Sequence, residues 1–210
     1  MNGTEERRAL DGVDLVMRRE RDLAVAHWLL SAAGDRERAR AEWREYGVAL
    51  LATGGIFVAI RIPGDLIRVA AETDEDQAVD DFLRCALEGG PVFRDRISDV
   101  YYALVPGSTA WRWNARAWPG VERLGKDCYL GVPAPERECW RGRAYWCVPM
   151  DSPGELCDPR LVWAMVQLGQ ERHRMADAEG QVAGTSEQPG RTKRQSAVGP
   201  DGYRLSVEDS

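Results

Sequence analysis

Two runs of arginine and tryptophan hold the side chains of this chain that are best suited to binding chemistry. They cover residues 111–118 and 137–146 and are called the Trp/Arg runs below. An arginine guanidinium forms paired hydrogen bonds with phosphate or carboxylate, and a tryptophan ring stacks on a base or a guanidinium plane. The predicted binding residues are Trp111, Arg112, Trp113, Arg116, Trp140, Arg141 and Arg143.

The charge around these runs differs from that of the whole chain. Between Ser108 and Trp146 there are seven basic and four acidic side chains, whereas the formal net charge of the chain is −6. The runs therefore predict a positively biased contact surface on an acidic protein. The overall acidity disfavours a protein that coats duplex DNA nonspecifically, because such binding neutralises many phosphates.

The same residues also admit a purely structural interpretation. Loops between strands often bury tryptophans over the edge of a sheet, with solvated arginines around them. Trp146 is expected to be buried in either case, because it lies inside a predicted strand. The sequence leaves open whether the rest of the runs is exposed.

No combination of residues in the sequence predicts catalysis. With two histidines, and with Ser108 and Ser152 outside a Gly-x-Ser-x-Gly context, a hydrolase triad is poorly supported. The five cysteines include no Cys-x-x-Cys pair, so we predict buried, unreactive thiols rather than a zinc site. We accordingly predict no catalytic residue, no metal ligand set and no cofactor.

The length and composition limit the classes of protein to which this chain can belong. A chain of 210 residues suits one domain with tails. No apolar run approaches the ~20 residues of a membrane span, so no membrane association is expected. The N-terminus lacks the apolar centre of a signal peptide, which predicts a cytoplasmic protein. The abundance of arginine, alanine and glycine is typical of a GC-rich bacterial genome.

The hydrophobic pattern divides the chain into three segments. Residues 1–46 predict a helical hairpin within the same domain, with Asp35 capping the second helix and Gly47 ending it. Residues 47–175 predict the core, and residues 176–210, which have almost no large apolar side chain, predict a disordered tail.

The core alternates short β-type runs with helical ones, which predicts an α+β fold with a mixed or mainly antiparallel sheet. Asp158 followed by Pro159 predicts a C-terminal helix packed on the sheet. The predicted strands lie near residues 48–52, 56–62, 92–93, 100–105, 128–132 and 144–148, bounded by glycine and proline.

Several of these strand-and-turn motifs occur in a recognisable order. They are Phe57 to Pro63, Gly90-Pro91-Val92, Tyr102 to Gly107, Leu124-Gly125, and Val132 to Pro135. In this order the segment at about residues 47–135 resembles the N-terminal domain of actinobacterial bifunctional primase-polymerase-like proteins. The chain also resembles a group of uncharacterised actinobacterial proteins in which residues 145–150 would form the characteristic block.

The resemblance implies a related scaffold and possible contact with nucleotide or nucleic acid, but the metal-binding motif is missing. Primase-polymerases are expected to carry two alternating acidic residues on the strand matched by Phe57 to Ile62, so that one face presents both to divalent metals. Val58, Ala59 and Arg61 occupy that strand here. The resemblance therefore does not predict metal-dependent nucleotidyl transfer from this strand.

From these observations we predict a non-catalytic bacterial binding protein, regulatory or accessory, that uses the Trp/Arg runs. Their chemistry suits nucleic acid, a nucleotide or an acidic protein partner, and the sequence does not set the oligomeric state. The alternative is a nucleotidyl-transfer enzyme that takes its metal ligands from elsewhere, with Asp65, Glu72 and Asp95 as candidates.

Overall fold

The computed structural model describes residues 3–109, 119–137 and 142–185, with side chains for residues 15–109, 119–137 and 142–178. The fold is α+β, as predicted. The helices are α1 (Gly3–Leu29), α2 (Arg36–Tyr46), α3 (Gly64–Ala71), α4 (Asp76–Ala86) and α5 (Pro159–Thr185). The strands are β1 (Val48–Ala52), β2 (Phe57–Pro63), β3 (Val92–Asp95), β4 (Val100–Pro106), β5 (Glu122–Leu124), β6 (Tyr129–Pro133) and β7 (Ala144–Val148).

Five of these strands form one sheet in the order β5-β2-β4-β3-β7, with every pairing antiparallel. Strand β2 lies between β4 and β5, and its residues 57–60 are buried on both faces. This agrees with its nearly continuous apolar sequence, which is typical of a strand covered on both sides. Strand β5 has no clear strand signal in the sequence.

The first strand does not join this sheet. Strand β1 pairs with β6 in a separate two-stranded sheet, called the ribbon below, in which Val48 lies opposite Pro133 and Ala52 opposite Tyr129. The predicted turn after β1 is present, with Gly54 at φ 89°. It connects the ribbon to the main sheet and does not close a hairpin within one sheet.

The main sheet separates two hydrophobic cores. On one face, alternate side chains of β2, β4 and β7 pack against α3, α4 and α5 through residues such as Ile67, Leu83 and Val162. On the other face, Phe57, Phe93 and other sheet residues pack against the ribbon, α1 and α2. The molecule therefore has a helical layer, a central sheet, and a layer formed by the ribbon with the N-terminal helices.

Three predicted helix ends, at Asp35, Gly47 and Asp158, are found at the expected residues. The Asp35 carboxylate accepts hydrogen bonds from the backbone N–H groups of Glu37 and Arg38, and Gly47 ends α2 at φ 77°. The Asp158 carboxylate accepts from the backbone N–H of Arg160. Helix α5 continues to Thr185, beyond residue 176 where the tail was predicted to begin. Within the described residues, no helix has the length and apolar content needed to cross a bilayer.

Candidate functional site: a groove between the sheet and the ribbon

Most of the predicted binding residues lie outside the described residues. These are Trp111, Arg112, Trp113, Arg116, Trp140 and Arg141. Arg143 is described and is exposed, and Trp146 is buried, as expected for a residue inside a strand.

Described residues in or next to both Trp/Arg runs lie at one groove. Arg143, which belongs to the second run, lines this groove. Gly120, two residues after the first run, accepts a hydrogen bond through its carbonyl from Arg61 Nη1 at 3.3 Å, and Arg61 lines the same groove. Residues far apart in sequence thus meet at this place.

The groove lies between the main sheet and the ribbon and has a volume of about 560 Å³. We call it the arginine groove. Its sheet side consists of Arg61, Asp95, Ser98, Tyr102, Leu124, Arg143 and Ala144, and its ribbon side of Val48, Leu50, Tyr129, Leu130 and Gly131. This volume is within the range of small-ligand sites in proteins.

Arg61 lies near the end of β2, where it is directly opposite Tyr102 on β4 and Glu122 on β5. The neighbouring Ile60 and Ile62 point into the helical core, so strand alternation directs Arg61 to the ribbon side. Among the described residues, no carboxylate lies within ion-pair distance of its guanidinium. Its charge is therefore available to a ligand.

Arg143 is a second cation on the sheet side of the groove. Its side chain is 61% exposed, and its Nη2 lies 3.7 Å from Asp95 Oδ2. The Asp95 carboxylate also accepts hydrogen bonds from the Ile97 backbone N–H and the Ser98 hydroxyl. Asp95 is thus used to hold the β3–β4 turn, and its long contact with Arg143 leaves that guanidinium accessible.

Tyr102 lines the groove and belongs to a cluster of three aromatic rings. The Tyr102 ring is stacked on Phe93, with centroids 4.9 Å apart, and Phe93 meets the edge of Trp146 at 5.3 Å. The Trp146 indole N–H donates to the carbonyls of Pro133 and Ala134. The Tyr102 ring is therefore held in place by its contact with Phe93. Burial raises the pKa of the Tyr102 hydroxyl, and the nearby Arg61 opposes this rise.

The ribbon side of the groove is apolar and exposed. Tyr129 is 65% exposed and Leu50 is 55% exposed, although both lie in strands. Contiguous exposed apolar groups beside charged ones are typical of interaction sites. The groove therefore combines the apolar ribbon side, the Tyr102 ring, and the guanidinium groups of Arg61 and Arg143.

No protein-family model, curated protein or solved structure matches this chain. The similarity to the primase-polymerase domain remains a prediction. The chemistry of the groove has to be inferred from its own residues.

The opposite face of the sheet carries a denser cluster of charges, formed by Arg68, Asp76, Arg94 and Asp99. The Arg94 side chain is 11% exposed and donates to Asp76 Oδ1 at 2.5 Å and to Asp99 Oδ1 at 2.8 Å. Arg68 donates to both Asp99 oxygens, at 3.1 and 2.7 Å. Each charge in this ion cluster is used to join α3, α4 and the β3–β4 turn, so we assign it a structural role.

Next to the ion cluster, Asp80, Tyr145 and Cys147 form a small polar group in the helical core. The Tyr145 hydroxyl lies 3.2 Å from Asp80 Oδ1, and burial raises the pKa of Asp80 and of the Cys147 thiol. A thiol with a raised pKa is a poor nucleophile, because the thiolate is the reactive form. The surroundings of Cys147 therefore do not favour it as a nucleophile.

The three carboxylates of the alternative hypothesis are not brought together. Asp65 and Glu72 line a cleft of about 340 Å³ beside α3, on the helical side of the sheet. Asp95 lies in the arginine groove on the opposite face. The described residues contain no group of three or more histidine, cysteine or acidic side chains that could hold a metal.

Among the four described cysteines, the prediction of buried thiols is correct for two, wrong for one that is exposed, and only partly met by one of intermediate exposure. Cys147 and Cys157 are buried, Cys128 is partly exposed, and Cys85 is exposed. Cys139 lies outside the described residues. Cys85 lies on the outer side of α4, whose buried side is formed by Val79 and Leu83.

Proposed function

We propose that this protein is a non-catalytic binding protein whose arginine groove receives a negatively charged ligand. One observation carries the proposal: Arg61 lies beside the Tyr102 ring in a groove of small-ligand size, and no described carboxylate lies within ion-pair distance of its guanidinium. Arg143 adds a second exposed cation to the same groove. The ligand classes are those suited to arginine and aromatic side chains, namely a nucleotide, a nucleic-acid strand or an acidic protein segment.

The Trp/Arg runs extend this proposal. Arg143 of the second run lines the groove, and Gly120, just after the first run, accepts a hydrogen bond from Arg61 of the groove. Arg112, Arg116 and Arg141 are therefore proposed to contribute to the same contact surface. A regulatory or accessory role in the bacterial cytoplasm remains part of the proposal.

The direct test measures binding of two fluorescent anionic probes, a single-stranded oligonucleotide and a glutamate-rich peptide, to the full chain at several salt concentrations. Replacing Arg61 by Met removes one charge-assisted hydrogen-bond donor, worth ~1.5–3 kcal/mol, so we expect binding of at least one probe to weaken by ~10-fold or more. The matched control is Arg160→Met, because Arg160 is an exposed arginine on α5 far from the groove in sequence.

The proposal would be refuted if neither probe bound the wild-type chain at low salt. It would also be refuted if Arg160→Met weakened binding as much as Arg61→Met, because the effect would then reflect total charge rather than the groove. A thermal unfolding curve for each variant shows whether the fold is retained.

A further inference from the structure

Within the residues that the structure describes, strand β6 has one edge with no partner strand, and its residues Tyr129, Leu130 and Gly131 line the arginine groove. In an antiparallel pair, residues opposite each other alternate between those that exchange backbone hydrogen bonds and those that do not. In the ribbon, the Thr53 N–H donates to the Cys128 carbonyl at one end, and the Ala134 N–H donates to the Gly47 carbonyl at the other. These bonds fix the alternation along the whole ladder.

By this alternation, Leu50 with Gly131 and Ala52 with Tyr129 are non-bonded pairs. The Leu50 N–H accordingly points away from β6 and donates to Glu42 on α2 at 3.0 Å. The N–H and C=O groups of Gly131 and Tyr129 point the other way, to the outer edge of β6. Both residues line the groove, and in the described part of the chain β6 pairs only with β1.

An unpaired strand edge beside a groove is the geometry for adding an extended peptide as a new strand, in which main-chain bonds give affinity and side-chain contacts give specificity. The exposed side chain of Tyr129 offers an apolar contact to the side chains on the same face of such a peptide. Arg61 and Arg143 offer contacts to its carboxylates.

We infer that the partner is an extended acidic segment of another protein, which adds to the edge of β6 and places its carboxylates against Arg61 and Arg143. This inference rests on the proposed function and names the ligand of the same groove. The unpaired edge of β6 favours a peptide over the other anions, because a nucleotide has no backbone N–H groups that could continue the hydrogen-bond ladder of the strand.

Gly131 allows the backbone contribution to be tested separately from the charge. Gly131→Pro removes its N–H, and because Gly131 belongs to a non-bonded pair, no hydrogen bond to β1 is lost. Gly131→Ala is the matched control: it keeps the N–H, and apart from its two chain neighbours no described residue has an atom within 4 Å of the added Cβ.

The probe is a fluorescein-labelled peptide of alternating glutamate and valine, with the single-stranded oligonucleotide as a second probe. We expect Gly131→Ala to bind the peptide within about twofold of wild type, and Gly131→Pro to bind it roughly fivefold to tenfold more weakly, as for loss of one backbone hydrogen bond. A peptide of the same sequence with every backbone amide N-methylated should bind wild type at least ~10-fold more weakly, because it cannot donate.

The methylated peptide keeps the test valid if Gly131→Pro fails to fold. The inference is overturned if the methylated peptide binds as well as the unmodified one, or if Gly131→Pro folds and binds it normally. If the oligonucleotide alone binds, the groove is an anion site without strand addition, and only the proposed function survives. If neither probe binds, both are refuted.

Discussion

Replacing Asp99 by Asn tests most directly whether the charges of the ion cluster stabilise the folded protein. Asp99 accepts three hydrogen bonds from Arg68 and Arg94 through its carboxylate. Its backbone has φ 48°, a conformation that Asn also adopts readily, so the substitution removes the charge and leaves the turn in place. The Asp99 carbonyl, which accepts from the Gly64 N–H, is unaffected.

The expected magnitude follows from the pKa of the Asp99 carboxyl. The hydrogen bonds from Arg68, followed by those from Arg94, lower this pKa from 3.8 to about 2. At ~1.36 kcal/mol per pKa unit this corresponds to about 2 kcal/mol of stability. Because the side chain is 41% exposed, solvent screening reduces the contribution to about 1 kcal/mol.

The sign of the pH dependence is fixed by the direction of the shift. A carboxyl with a lowered pKa in the folded state contributes its full stability above the unfolded pKa, near ~3.9, and loses it as the pH falls toward the folded pKa. Urea unfolding should show wild type more stable than Asp99→Asn at pH 6, and this difference should fall to about half by pH 3.

The control variant is Asp81→Asn, at an exposed residue of α4 that makes no described ion pair. Its stability should follow that of wild type at every pH. A difference between wild type and Asp99→Asn that stays constant, or grows, from pH 6 to pH 3 would contradict the argument.

Two further predictions concern buried groups. Trp146→Phe removes the indole N–H that bonds the ribbon, so we expect a loss of ~1–2 kcal/mol in the free energy of unfolding, with an unchanged denaturant slope, measured by urea titration. In the native protein, a maleimide should label the exposed Cys85 within minutes, whereas Cys147 and Cys157 should react only after unfolding, as mass spectrometry of the labelled peptides would show. Native labelling of Cys147 at the rate of Cys85 would contradict the described packing.

The helix ends and the order of elements were predictable because their signals are local. Asp35 and Asp158 cap helices through bonds to N–H groups two or three residues away. Each such signal lies within a few residues of the structure it determines. The same is true of Gly47, which adopts a positive φ at the end of α2.

The arginine groove was not predictable in the same way. Its ribbon side depends on the pairing of β1 with β6, which are about 80 residues apart in the chain. Strand alternation places Arg61 on one face of β2, but nothing local shows which element faces it. The binding residues predicted from the sequence all lie in the Trp/Arg runs. Among them the structure describes Arg143, which lines the groove.

Three aromatic rings connect the sheet side of the groove to the end of β6. Tyr102 is stacked on Phe93, Phe93 packs edge-on with Trp146, and the Trp146 indole N–H donates to the carbonyls of Pro133 and Ala134. A substitution of Phe93 or Trp146 should therefore change the position of the ribbon relative to Tyr102, although neither residue lines the groove itself.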